Sequence, residues 1–156
     1  MEKSLLAKQY FEAGANCAQA VLCAFAQECG LTSGDAMRIA SGFGGGMGRM
    51  REICGAVSGM TLVANLLYGN TDPADKAAKD RHYALIQQLA KSFQEQNGSI
   101  ICRELLHLDQ TGSDIPVSEE RTKEYYRKRP CAELVEMAAR IVENQLFPAT
   151  GDQSCK

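Results

Sequence analysis

The chain has 156 residues, a formal net charge of -2, seven cysteines and no tryptophan. That length suits one domain with its own core. A pI near 5.7 supplies no cationic field for a phosphate backbone, so nucleic acid is excluded as an expected partner. Met1 to Lys8 interrupts its apolar residues with charges, so it has neither the hydrophobic region of a secretory signal nor the length of a membrane span. The expected location is cytoplasmic. In that compartment seven cysteines indicate metal binding, redox chemistry or plain packing rather than structural disulfides.

Ala, Leu, Met and Gln are frequent and no segment alternates apolar with polar residues, which predicts an all-α fold of about six to seven helices. Leu5, Leu6, Gln9 and Tyr10 place a first amphipathic helix over 3–13, ended by Gly14. Asn16 is the expected cap of a second helix, whose apolar stripe of Cys17, Ala20, Val21, Ala24 and Phe25 runs toward Gly30. Ser33 is the expected cap of a short helix over 34–41. Gly42 to Gly48 follows and is too glycine-rich for regular structure.

Residues 52–68 return to helical spacing through Ile53, Val57, Met60, Ala64 and Leu67, nearly apolar all round, which predicts the buried central helix. Asp72-Pro73 is a start signal for the longest helix, 74–96, stopped at Asn97-Gly98. Ser99 is the expected cap of a shorter helix carrying Cys102, Leu105 and Leu106. Residues 109–117 read as a loop, Ser118 as the opening of a charged turn, and Pro130 as the start of a last helix with Cys131, Leu134, Val135, Ala138, Ile141 and Val142 inward. The expected organisation is one helical domain over 1–147 with a flexible tail over 148–156. Scattered methionines are expected core filler. His82 and His107 lack metal-ligand spacing, and the mixed charges of 121–129 predict a solvated helix face.

Position divides the cysteines into two groups. Cys17, Cys54, Cys102 and Cys131 fall at helix starts, where unpaired amides and the helix dipole favour a thiolate. Arg49 and Arg51 lie just before Cys54, and Lys128 and Arg129 just before Cys131. Cys23 falls mid-helix, Cys29 at a C-terminal end and Cys155 in the tail, and none of these three has an assigned role. Absence of C-x-x-C removes zinc-finger and thioredoxin motifs, although four ligands from separate helices could still meet in a bundle core. The glycine run matches neither G-x-G-x-x-G nor a P-loop. Its bare amides at Gly44, Gly45, Gly46 and Gly48, together with Arg49, suit a nest for an anion or a thiolate. Close helix packing around the glycines is the equal alternative.

The segments Gly14-Ala-Asn-Cys17-Ala-Gln-Ala-Val, Gly42-Phe-Gly-Gly-Gly-Met-Gly-Arg-Met50 and Cys54-Gly-Ala-Val-Ser-Gly59 resemble the C_GCAxxG_C_C family of redox-active proteins. That family is defined by four cysteines, and the matching positions are Cys17, Cys54, Cys102 and Cys131. The resemblance implies a small helical protein, often linked to transporters, without a settled substrate. The expectation is a thiol/disulfide protein with Cys54 as preferred nucleophile and the other three cysteines as partners. The alternatives are a module holding a metal ion, an iron-sulfur cluster or another cofactor on the same four thiolates, and a helical interaction protein whose cysteines only pack. The sequence assigns no cofactor and does not decide whether the protein is an enzyme. An unidentified redox protein, a small ligand and a second copy forming a homodimer all remain open as partners.

Overall fold

A computed structural model describes residues 1–108 and 113–149. Its eight helices, among the described residues, are α1 (Lys3–Glu12), α2 (Cys17–Ala24), α3 (Ser33–Ala40), α4 (Gly55–Tyr68), α5 (Lys76–Asn97), α6 (Cys102–Leu105), α7 (Lys123–Lys128) and α8 (Cys131–Leu146). A 3-10 turn, Ser41–Phe43, follows α3. The fold is all-α, as the composition predicts.

Local chemistry sets the boundaries. Gly14, at φ +109°, ends α1 in a Schellman motif: its amide donates to the Phe11 carbonyl and that of Ala15 to the Tyr10 carbonyl. Two residues later Asn16 caps α2. Its side chain accepts from the Gln19 amide at 2.9 Å while the Gln19 side chain accepts from the Asn16 amide at 3.0 Å, a reciprocal capping box. Two other starts lie a few residues from their expected positions: Thr32, not Ser33, caps α3 by accepting from Asp35, and Asp75, not Asp72, caps α5 by accepting from Ala78. Where a charged turn from Ser118 is expected, Thr122 caps the short helix α7 by accepting from Tyr125. In each case the residue used has its oxygen three positions before a free helical amide. The Asp72 carboxylate instead closes the preceding turn onto the Ala74 amide.

The core lies between α1, α2, α4, α5 and α8. Phe11, Leu22, Phe25, Met60, Leu89, Phe93 and Val135 are fully buried in it. The most enclosed helix is α2 rather than α4. It packs on α1, α3, α4 and α8, and Ala18 together with Ala20 to Ala26 is buried, whereas α4 keeps Leu66 and Tyr68 exposed. All six residues expected to face inward on α8 are buried. Among the methionines Met60 is core, but Met37, Met47 and Met50 are exposed, so the reading of the scattered methionines as core filler holds only in part.

Residues 52–54 are extended rather than helical. Ile53 pairs antiparallel with Ile101, the Cys54 amide donates to the Ile100 carbonyl at 2.8 Å, and the Cys102 amide donates to the Glu52 carbonyl at 2.6 Å. This short ladder sets the starts of α4 and α6 side by side. The expected loop at 109–117 is irregular over 113–117, while 109–112 lie outside the described residues, as do 150–156 of the expected tail. No helix is long and apolar enough to cross a membrane among the described residues.

Candidate functional site

Four helix starts point at one place. Cys17, Cys102 and Cys131 are the first residues of α2, α6 and α8, and Cys54 is the cap residue of α4. All four line a single cavity of about 430 Å³, within the usual range of ligand pockets. The sequence distributes these cysteines over more than a hundred residues, and the bundle gathers them. Cys23 is buried in the core and Cys29 half-buried in the turn after α2; neither lines this cavity, and Cys155 lies outside the described residues.

The glycine segment forms another wall. Gly45, Gly46, Met47, Gly48 and Arg49 have φ between +57° and +71° in succession, and Arg51 has φ +61°. A run of this hand is rare for L-residues, and each of the three non-glycine positions costs roughly 1–2 kcal/mol. Surrounding bonds hold it: the Gly48 amide donates to the Gly42 carbonyl, that of Arg51 to Gly45, and that of Glu52 to Gly46. Gly46 is indispensable to this path. A Cβ there would lie 2.6 Å from the Glu52 nitrogen and 2.7 Å from the Cys102 Cβ. Gly55 has the matching role across the cavity, where a Cβ would meet the Cys17 Cβ at 3.0 Å and the Phe43 carbonyl oxygen at 2.9 Å. Gly44, Gly45, Gly46, Gly48 and Arg49 all line the cavity.

Charge is concentrated here. Four guanidiniums, those of Arg49, Arg51, Arg121 and Arg129, line the cavity with one carboxylate, Glu119, in a chain that is net negative overall. Glu119 is shared, bonding Arg129 at 2.5 Å and approaching Arg49 at 3.5 Å. Arg51 is 6% exposed, donates to the Ser113 carbonyl at 3.0 Å, and places a guanidinium nitrogen 3.9 Å from the Cys102 sulfur. Arg121 donates to the Phe11 and Ala15 carbonyls and stacks over the Phe11 and Tyr125 rings. Neither Arg51 nor Arg121 has a carboxylate within ion-pair distance among the described residues.

Arg121 and Arg129 correct the reading of 121–129 as a solvated face. The helix α7 exposes Lys123, Glu124, Arg127 and Lys128, but its two flanking arginines turn inward. Tyr125, half-buried beside them, also lines the cavity. Of the arginines before Cys54, Arg51 faces another thiol, Cys102, and Arg49 bonds the Ile115 and Val117 carbonyls. His82 bonds Asn65 and lines no part of the cavity.

The thiols are not equally acidic, and helix starts alone do not lower them all. Burial pushes Cys54 up to about 12, outweighing the amides of Ala56 and Val57. Burial also raises Cys102, against the nearby Arg51 guanidinium. Cys17 is raised well above the ordinary thiol value by its hydrogen bond to Cys131 and by burial, while the same bond, helped by Arg129, Arg121 and Arg51, lowers Cys131. Of the four thiols whose helix starts favour a thiolate, Cys54, the expected nucleophile, is raised, and Cys131 alone is lowered. Its difference from the others is a donor thiol plus three guanidiniums, which together exceed the effect of burial.

Fold and site together define a small all-α protein built around a four-cysteine cavity. The chain belongs to the C_GCAxxG_C_C family, described as "putative redox-active protein", whose signature matches residues 15–145. Comparison with curated proteins and with solved structures returns no match. Among the described residues no three His, Cys, Asp or Glu side chains are arranged to hold one metal ion.

Proposed function

We propose that the protein performs thiol–disulfide exchange, with Cys131 as attacking thiolate and Cys17 as resolving thiol. The observation that carries this is the meeting of Cys17 and Cys131, the first residues of α2 and α8, in one open cavity with Arg51, Arg121 and Arg129, a setting that lowers Cys131 and raises Cys17. The thiolate is the nucleophile in such chemistry. Cys131 attacks one sulfur of an incoming disulfide, forming a mixed disulfide and expelling the first thiolate. Cys17 loses its proton to that leaving thiolate, attacks the Cys131 sulfur and expels the second thiolate. The protein ends with a Cys17–Cys131 disulfide, and the substrate as one thiol and one thiolate, which takes its proton from water.

Cys102 and Cys54 have supporting roles in this reading. Arg51 offsets part of the effect of burial at Cys102, making it the next thiol able to exchange with the new disulfide, while Cys54 is held as a protonated reserve. A cytoplasmic setting, where thiols begin reduced, belongs to the same proposal. Quantitative titration of unfolded samples tests it. Mild oxidation with diamide should remove two of the seven thiols and dithiothreitol should restore them. Equal counts in both samples would overturn the proposal.

A second reading, a metal or iron-sulfur site on the same four thiolates, has their shared cavity in its favour and would need the sulfurs to draw together, since no three of the described side chains are arranged to hold one ion. Metal analysis of protein purified without oxygen discriminates the two. A stoichiometric metal lost on Cys17→Ser and Cys54→Ser supports the second reading, and its absence removes it.

A further inference from the structure

The charge of the cavity carries an inference about what enters it. Four guanidiniums face one carboxylate there, so the pocket is strongly cationic within an acidic protein. Arg51 is nine-tenths buried, a costly position for a guanidinium whose bonds run to a neutral carbonyl and a sulfur. Arg49 and Arg129 converge on the single carboxylate of Glu119, the most exposed of the three at 42%, and the Ile115 and Val117 carbonyls also hold Arg49 in place. Beside them the left-handed run turns Gly45 and Gly46 toward the cavity with amides that donate to no group among the described residues. Successive amides in such a turn form an anion-binding concavity. The cationic groups sit around the sulfurs, so an anion held there would keep its own attached sulfur beside Cys131.

We infer that the substrate of this cavity is a small disulfide bearing carboxylate or similar oxyanion groups, bound by Arg49, Arg129 and the Gly45–Gly46 amides, with Glu119 occupying the anion position when the cavity is empty. This inference rests on the exchange reading above. The carboxylate of the substrate replaces that of Glu119 on the two arginines, and its disulfide then meets the Cys131 thiolate. Cys131 and Cys17 are oxidised to a disulfide, and the substrate is reduced to two carboxylate-bearing thiols.

The test compares two symmetric disulfides of opposite charge, 3,3′-dithiodipropionate and cystamine, as oxidants of the reduced full-length protein at low salt. The anionic disulfide should react roughly tenfold faster or more relative to each reagent's rate with a free model thiol. The ratio should fall toward one at about 1 M salt, where screening reaches within a few ångströms. Arg129→Gln and Arg49→Gln should each reduce the ratio several-fold. Glu119→Gln should increase it, an opposite shift that loss of folding does not produce, and Arg38→Gln on the exposed surface should leave it unchanged. Suberate, a dicarboxylate of similar length without sulfur, is the probe for binding to the reduced protein by calorimetry. Equal rates for the two disulfides with no suberate binding would overturn the inference while leaving thiol exchange intact. Suberate binding that Arg129→Gln weakens, with no oxidation by either disulfide, would support the anion pocket and remove the exchange reading.

Discussion

Cys17 and Cys131 begin helices separated by most of the chain and line the same cavity, where their mutual influence raises the Cys17 thiol and lowers that of Cys131. The difference between them arises from position. Cys131 is favoured by Arg129, Arg121 and Arg51, while Cys17 receives like-charge opposition from Cys131, Cys54 and Cys102.

Alkylation should read this order directly. At neutral pH iodoacetamide should label Cys131 first among the four, with Cys54 resistant until the pH approaches its value of about 12. Cys17→Ala removes the partner that lowers Cys131 most, and should slow Cys131 labelling near neutral pH. Rates followed by peptide mass spectrometry check both expectations, and preferential labelling of Cys54 at pH 7 would contradict them.

Stability should decline in mild base. Cys17, Cys54 and Cys102 are raised in the folded state, so each contributes stability that is fully present below the ordinary thiol value near 9 and lost as pH rises through the folded value. Cys131 has the opposite sign: its lowered value adds stability above the ordinary value, lost as pH falls through the folded one. Three groups outweigh one. Between pH 9 and 12 the buried Cys54 alone should cost on the order of 1 kcal/mol per pH unit. Urea unfolding of the reduced protein at pH 8 and pH 10 measures this, and greater stability at pH 10 would refute it.

The glycine wall should discriminate sharply between neighbouring positions. Gly46→Ala adds a Cβ against backbone and the Cys102 Cβ, and should cost about 3 kcal/mol or more by overpacking together with left-handed strain. Gly48→Ala has the same hand of backbone, at φ +57°, with nothing within 4 Å, and should cost only about 1–2 kcal/mol. In thermal unfolding these correspond to drops of roughly 6–12 °C and 2–8 °C for a chain of this size.

Asn16 joins helix capping to the site. It completes the capping box of α2 and donates through its side-chain amide to the Ser41 carbonyl at 3.0 Å, holding the turn before the glycine segment. Asn16→Ala should cost about 1–2 kcal/mol and loosen the start of the helix that bears Cys17. Amide hydrogen exchange should then accelerate at residues 17–20 more than in α8. Uniform acceleration would show a global effect instead.

What was legible in the sequence is what short-range chemistry determines. Gly14 ends one helix and Asn16 starts the next within a few residues, so the placement of Cys17 follows from local signals, as does that of Cys131 after Pro130. Cys54 and Cys102 were correctly placed near helix starts. The reason for their proximity was hidden, because Ile53 pairs with Ile101 across half the chain while fitting a helical period locally. Arg121 and Arg129 were illegible as site residues, since their inward turn depends on how a six-residue helix sits over the cavity. Thiol acidity is illegible for the same reason: helix starts are visible in the sequence, but the burial that overrides them at Cys54 is a property of the assembled fold.

The most direct test of the account is the identity of the first disulfide to form. Reduced protein treated with one equivalent of 3,3′-dithiodipropionate, quenched by acid and mapped by peptide mass spectrometry should yield a Cys17–Cys131 linkage, with Cys23 and Cys29 free. A first disulfide that excludes both Cys17 and Cys131, or full retention of all seven thiols, would contradict it.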